Sequence, residues 1–343
     1  MLDERKMKIL SAIIDDYIAT AEPIGSRTIA RKYHIGISPA TIRNEMADLE
    51  ELGYLSQPHT SAGRIPSNKG YRFYVDFLMP ARKLEEYEQS FIKRLLKKRA
   101  KELEDLIEEA GKVISKLTSY TAIILGPQLE SSRLKHVQII RLEEKKGLMI
   151  IVTSYCTVTH HIIEIPQNLT DSDLQRISNA LNSNLSGKAL EEITPEIMNS
   201  IKDDMIEYDS VLNVLLDLLM ENLDDTKESN KVYSTGSSKM LEFPEFRDVE
   251  RARNFLALME QHDLITKALK NYCKPNSITV TIGNENPWNE FQDLSIVTTG
   301  FFVENKNLGI CGIIGPTRME YSRVFSILEK VSDYLSKAIA SLL

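Results

Sequence analysis

Residues 26 to 55 constrain this chain more than any other stretch. A first helix is predicted over about 4–20, where Met7, Leu10, Ile14 and Ile18 recur at three- and four-residue steps. Glu22-Pro23-Ile24-Gly25 ends it, because proline removes a donor and glycine permits the turn. Ser26 reads as the cap of a short second helix to about Tyr33, with Ile29 and Ala30 inward and His34-Ile35-Gly36-Ile37 as the turn. Ser38 is an N-cap followed by Pro39 at the first helical position, and Gly53 stops the third helix after Leu52. Ile42, Met46, Leu49 and Leu52 share one stripe, which must face the first two helices. Thr41, Asn44 and Asp48 lie opposite, with Ala40 and Arg43 on the flanks. This is the pattern of a helix-turn-helix, whose third helix can enter a major groove.

Tyr54-Leu55-Ser56 reads as a strand, and Pro58 to Lys69 as a polar loop with Gly63 and Arg64 near its tip. Gly70 to Val75 is either the return strand or the start of a further helix. A hairpin directly after a recognition helix makes the winged variant. Such a wing can place an arginine in a minor groove and hydroxyls on phosphates. The expected base-reading set is Ser38, Pro39, Thr41, Arg43 and Asn44. The expected backbone and wing set is Ser26, Arg27, Thr28, Lys32, Thr60, Ser61, Arg64 and Lys69. A three-helix packing unit or a protein-binding winged domain is the bland alternative. Capping, apolar stripe, polar opposite face and local charge all favour DNA.

The formal net charge is −7, which by itself argues against nucleic acid, but its distribution does not. Between residues 24 and 75 seven basic residues (Arg27, Arg31, Lys32, Arg43, Arg64, Lys69, Arg72) face four acidic ones (Glu45, Asp48, Glu50, Glu51). That segment is +3, which leaves −10 on the rest. A basic module on an acidic body suits a specific DNA reader and discourages nonspecific sticking.

At 343 residues the chain is too long for one ordinary core, so two or three domains are expected. No apolar run reaches the roughly 18 residues of a membrane span. The charged start, Met1-Leu2-Asp3-Glu4-Arg5-Lys6, lacks a signal-peptide core, so a cytoplasmic protein without membrane attachment is expected. Cys156, Cys273 and Cys311 show no metal-ligand spacing and read as buried reduced thiols.

Residues 83–118 read as one long charged helix, a stiff and solvated connector. Strand candidates follow at 121–125, 136–142, 148–154 and 157–165, then helices near 171–185, 195–206 and 208–223. The last of these is apolar almost all round, which marks a buried or interface helix, and Val211, Leu215, Leu218 and Leu219 are its dimer-interface candidates. After a polar break at 224–230 come a helix near 248–271, strands near 277–283, 294–303 and 308–315, and a final helix from Tyr321. This tail is an antiparallel sheet covered by helices.

Catalytic chemistry is missing. There is no GxSxG, HExxH, GxGxxG or P-loop. Ser186-Gly187-Lys188-Ala189 is best read as a helix-end turn, and the rings of His160 and His161 point to opposite faces of a strand. Trp288, the only tryptophan, is read as a lid on the core, with a small-molecule pocket left open. No enzyme, no cofactor and no metal site are expected.

The run Ile37 to Leu55 resembles the recognition-helix signature of the HrcA family of heat-inducible transcription repressors. Gln57-Pro58-His59-Thr60-Ser61-Ala62-Gly63-Arg64-Ile65-Pro66 and Gly70-Tyr71-Arg72 resemble it too, as do Phe243-Pro244-Glu245-Phe246 and Gly315-Pro316-Thr317-Arg318-Met319 with Tyr321. The resemblance implies a multidomain α+β chain. A winged helix-turn-helix would occupy 1–80, a linker helix and GAF-like domain 81–130 and 230–343, and an inserted dimerising domain 131–229. It implies a homodimer on the CIRCE inverted repeat ahead of chaperone operons, with the GroEL chaperonin as modulator. Two-fold DNA also asks for two-fold protein. The alternative is a winged regulator gated by a small effector in the GAF-like domain. A scaffold using the winged fold on proteins is a weaker one.

Overall fold

The computed structural model describes residues 2–59, 62–96, 103–126, 133–153, 158–189, 192–204, 212–213, 232–274, 277–303 and 306–341. The first helix, α1 (Glu4–Thr20), is capped by Asp3, whose carboxylate accepts from the Lys6 amide at 2.8 Å. The pair α2 (Ser26–Lys32) and α3 (Pro39–Glu51) follows, then the ribbon β1 (Leu55–Ser56) and β2 (Ile65–Pro66), then α4 (Asn68–Phe73). Ile9, Leu10, Ile13 and Ile14 of α1 meet Ile29 of α2 and Ile42 and Leu49 of α3, all fully buried. At about 1.5–3 kcal/mol per buried large apolar side chain, this convergence holds the three helices together.

Local expectations change at several points. The cap of α2 is Gly25, with no side-chain bond, and Ser26 is the first helical residue. Leu52 is 47% exposed rather than part of the buried stripe, because α3 ends at Glu51 and Leu52 turns outward as its C-cap. The return strand is only Ile65–Pro66, and Gly70 to Phe73 belong to α4. Ser67 makes that switch: its hydroxyl caps α4 at the Gly70 amide (3.1 Å) and donates to the Gly53 carbonyl (2.6 Å).

The charged stretch after the winged domain contains two helices, α5 (Glu86–Leu96) and α6 (Leu103–Thr118). The second is no solvated connector. Leu106, Ile107, Ala110, Val113, Ile114 and Leu117 are buried, and its lysines and glutamates only cover the outer half.

The body is a five-stranded antiparallel sheet. Its strands are β3 (Thr121–Leu125), β7 (Val232–Thr235), β8 (Thr279–Ile282), β9 (Leu294–Val303) and β10 (Lys306–Pro316), in the order β7-β3-β10-β9-β8. Helices α9 (Val249–Glu260), α10 (His262–Tyr272) and α11 (Tyr321–Ala340) complete it. Ile124 points at Gly111 of α6, while Gly312, opposite its neighbour Ile123, points at Leu269 of α10. The sheet is therefore covered on both faces. This explains why β3 is buried at every position and reads as an unbroken apolar run rather than an alternation.

Between β3 and β7, adjacent strands of that sheet, the chain makes an excursion. It contains a three-stranded antiparallel sheet, β4 (Leu134–Glu143), β5 (Lys146–Thr153) and β6 (Val158–Glu164), with α7 (Asp171–Leu185) and α8 (Pro195–Asp204). Val137, Ile139, Met149, Ile151 and Ile163 pack with Leu174, Ile177, Leu181 and Leu185 of α7 in a separate core. The Asn182 amide group bonds both the N–H (2.8 Å) and the carbonyl (2.7 Å) of Val137 and so closes the β4 edge. Cys311 is buried, and Cys273 partly so, with neither in a disulfide; Cys156 lies outside the described residues. Among the described residues no helix is long and apolar enough to cross a membrane.

Candidate nucleic-acid interface

Ser38 starts α3 in extended geometry (φ −68°, ψ 151°), and its hydroxyl accepts from the Thr41 amide at 3.1 Å. The Ser38 and Thr41 hydroxyls are 2.9 Å apart, which fixes both at the helix N-terminus. Pro39 pre-sets the first turn. Ile42, Met46 and Leu49 are buried below, which turns Pro39, Ala40, Arg43 and Asn44 out to solvent. Among the described residues neither Arg43 nor Asn44 has a hydrogen-bond or ionic partner. A guanidinium and an amide side by side, uncommitted and on a rigid helix, are the groups that read guanine and adenine edges.

The helix is braced from behind by a network that spans 40 residues of sequence. Lys6 of α1 binds Glu45 at 2.7 Å and Asp48 at 3.1 Å, and Arg5 binds Glu45 at 3.3 Å. Hydrogen bonding to Glu45, then to Asp48, pushes the Lys6 ammonium pKa upward. Asp48 is thus a strut as well as a surface group. Nothing in the spacing announces a contact between the first turn of one helix and the middle of another.

The backbone and wing set divides. Arg27 and Thr28 are exposed and Ser26 is half-buried at the start of α2. Lys32 is bound to the carboxylate of Asp16, a side chain only 8% exposed, and this bond raises its pKa. Lys69 donates to the Leu52 carbonyl at 2.8 Å and lies over the Tyr54 ring at 4.6 Å, so it closes the C-terminal end of α3. Thr60 and Ser61 lie outside the described residues.

Arg64 sits at the base of the wing, not near its tip. It pairs with Ile24 through two backbone bonds (Ile24 N–H to Arg64 O, 3.0 Å; Arg64 N–H to Ile24 O, 2.9 Å). Its Nη2 meets Glu50 of α3 at 2.7 Å, while its buried Nε has no partner. Gly63 permits this approach, because a Cβ there would lie 2.4 Å from the Ile24 carbonyl oxygen. The Gly63-Arg64 pair thus ties the wing to the loop before α2. The candidates Val211, Leu215, Leu218 and Leu219 lie outside the described residues.

An exposed polar recognition helix, a buried stripe beneath it and a wing tied to the same core define a winged-helix DNA-binding transcription regulator. Residues 1–75 match the family model described as winged helix-turn-helix transcription repressor, HrcA DNA-binding, and residues 104–325 match that of the HrcA protein C-terminal domain. The chain is 45% identical over 345 residues to a heat-inducible transcription repressor HrcA of Ruminiclostridium cellulolyticum, covering 100% of this chain and 99% of the relative. It is 43% identical over 342 residues to that of Moorella thermoacetica, covering 99% of both. This chain belongs to the HrcA family. A crystal structure described as a hypothetical protein aligns over 100% of both chains with a TM-score of 0.70 at 24% identity, which supports the α+β multidomain fold.

Proposed function

We propose that the chain is a homodimeric repressor of heat-shock chaperone genes that reads the CIRCE inverted repeat and is modulated by a GroEL-type chaperonin. The observation that carries this reading is the open face of α3. Ser38, Pro39, Thr41, Arg43 and Asn44 are presented together, with Arg43 and Asn44 uncommitted among the described residues. Arg27 and Thr28 flank them towards phosphates, and Lys32, Arg64 and Lys69 reach the backbone by exchanging their present partners. A reader of chromosomal DNA works in the cytoplasm.

The inserted sheet supports the two-fold arrangement. Its face away from α7 carries the cross-strand row Ile140–Leu148–Ile162 and the pair Val152–Val158. Ile162 is 69% exposed, Val158 58% and Leu142 52%. Gln138, Ile150 and His160 form the row between them, so the face is mixed, but exposed large apolar side chains on a sheet face suit an interaction surface. Release from DNA on heat stress and chaperonin control rest on family membership.

The test is titration of the full chain against an inverted repeat and a scrambled duplex at stated salt, with light scattering in parallel. The reading expects a dimer and a preference for the repeat of about 10³-fold or more. Equal affinity for both duplexes, or a monomer throughout, would refute it.

A small-effector reading has one observation in its favour. A cleft of about 570 Å³ opens between the winged domain and the body, lined by Tyr17, Asn68, Phe246, Arg251, Phe255 and Gln292 among others.

A further inference from the structure

The sequence signatures that carry no DNA-binding chemistry meet at one place. Gly70-Tyr71-Arg72, Phe243-Pro244-Glu245-Phe246 and Gly315-Pro316-Thr317-Arg318-Met319 converge where the winged domain sits on the body. Arg318 is 7% exposed. Its guanidinium grips Glu245 with Nε and Nη2 (Nη2 at 3.0 Å), and its Nη1 donates to the Ile18 carbonyl in the last turn of α1 at 3.0 Å. On the other side of the joint, Arg72 of α4 donates from Nε to Glu285 at 2.7 Å and from Nη2 to the Val280 carbonyl at 2.8 Å. Glu285 is itself held by the Ile282 amide at 2.8 Å. Asn68 donates to Asn284 at 3.0 Å. The buried rings of Tyr71 and Tyr321 meet across the joint at 6.2 Å.

Beneath these bonds the two apolar cores are continuous, while the inserted sheet keeps its own. The linker is pinned as well. Ser326 of α11 donates to the Arg82 carbonyl at 2.6 Å, and Arg323 binds the fully buried Glu88 carboxylate at 3.2 Å.

We infer that this joint sets half-site spacing: Arg72, Glu285, Arg318 and Glu245 are positioning residues that fix the separation and phase of the two recognition helices in the dimer. The inference rests on the two-fold operator reading above. The joint grips the winged domain at both α1 and α4, so rotation about one contact breaks the other. It also uses a surface away from the recognition face, since Arg43 and Asn44 stay exposed while it is closed. One base pair of spacer moves a half-site by about 3.4 Å and turns it by about 34°. A rigid arm cannot follow that change; a loosened arm can.

The test uses the full chain and a series of inverted repeats that differ only in spacer length. Glu285→Gln weakens the arginine clamp. Gly283→Ala loosens the joint without removing charge: a Cβ there would lie 2.2 Å from the Asn68 Nδ2 and displace it from Asn284, and φ +51° strains any side chain at this position. Binding to a duplex with a single half-site checks that the winged module of each variant is intact.

Wild type is expected to favour one spacer by roughly 10- to 100-fold over spacers two base pairs away, the loss of one arm's base contacts. Both variants are expected to compress that ratio below about 5-fold while keeping half-site affinity within about 2-fold. Variants that keep the wild-type ratio overturn the inference. So does a gain in affinity at the favoured spacer with the ratio kept, which would make the joint a brake. Wild type that binds no repeat at any spacer refutes the two-fold reading itself, and is recognised by the wild-type lanes alone.

Discussion

The Arg64–Glu50 pair offers a sharp test of how the wing meets DNA. The two side chains are 21% and 33% exposed, so the pair is worth about 0.5–1 kcal/mol, and the guanidinium can leave it for a phosphate at that cost. Replacing Glu50 with Gln removes the cost and should raise affinity for a single half-site by about 2- to 5-fold. Glu51→Gln is the control for mere loss of a negative charge, since Glu51 is exposed on the same turn and its gain should be smaller. Arg64→Ala should weaken half-site binding and flatten the plot of log affinity against log salt by about 0.9, the signature of one lost phosphate contact. Fluorescence anisotropy over a salt series reads both quantities. A salt slope unchanged in Arg64→Ala, or Glu50→Gln no better than Glu51→Gln, would show that Arg64 only buttresses α3.

Other perturbations address the scaffold. Gly63→Ala should break the paired backbone bonds between Ile24 and Arg64, at about 1–3 kcal/mol, and hydrogen exchange at those two amides should speed up; unchanged protection would refute the close-packing argument. Ile162→Asp places a charge among the exposed apolar side chains of the inserted sheet and should shift the dimer towards monomer in sedimentation; an undisturbed dimer would move the interface elsewhere. Glu88→Ala removes the buried acceptor shared by Arg82, Arg323 and the Glu85 amide, while the two partly exposed arginines keep Glu85 and Glu320; it should destabilise the linker region by about 1–3 kcal/mol, read as early unfolding in a thermal melt, and a melt within a degree of wild type would contradict that role.

Local signals were legible where chemistry is local. Ser38-Pro39 announced the start of α3 because hydroxyl capping and proline geometry act within one turn. The apolar stripe Ile42, Met46 and Leu49 showed which face is hidden, and so which face is open. The signal failed where a residue's partner is distant in sequence. Arg64 has the composition of a wing arginine, yet its neighbours are Ile24 and Glu50. Lys32 and Lys69 have DNA-binding charge but bind Asp16 and the end of α3. The charged run at 83–118 looked solvated because it is rich in Lys and Glu, although the apolar stripe of its second half, 103–118, packs on the sheet of the body.

The sequence by itself determined that this chain presents a winged reader of DNA, because helix caps, turns and the 3.6-residue period are short-range and each is written in a few neighbouring residues. Only the tertiary structure decided what the remaining motifs do. Arg72 and Glu285 are separated by 213 positions, and Arg318 and Ile18 by 300, so no local pattern links them. Ion pairs and shared cores depend on which surfaces the folded chain brings together. It is there that motifs with no visible chemistry became the joint between reader and body.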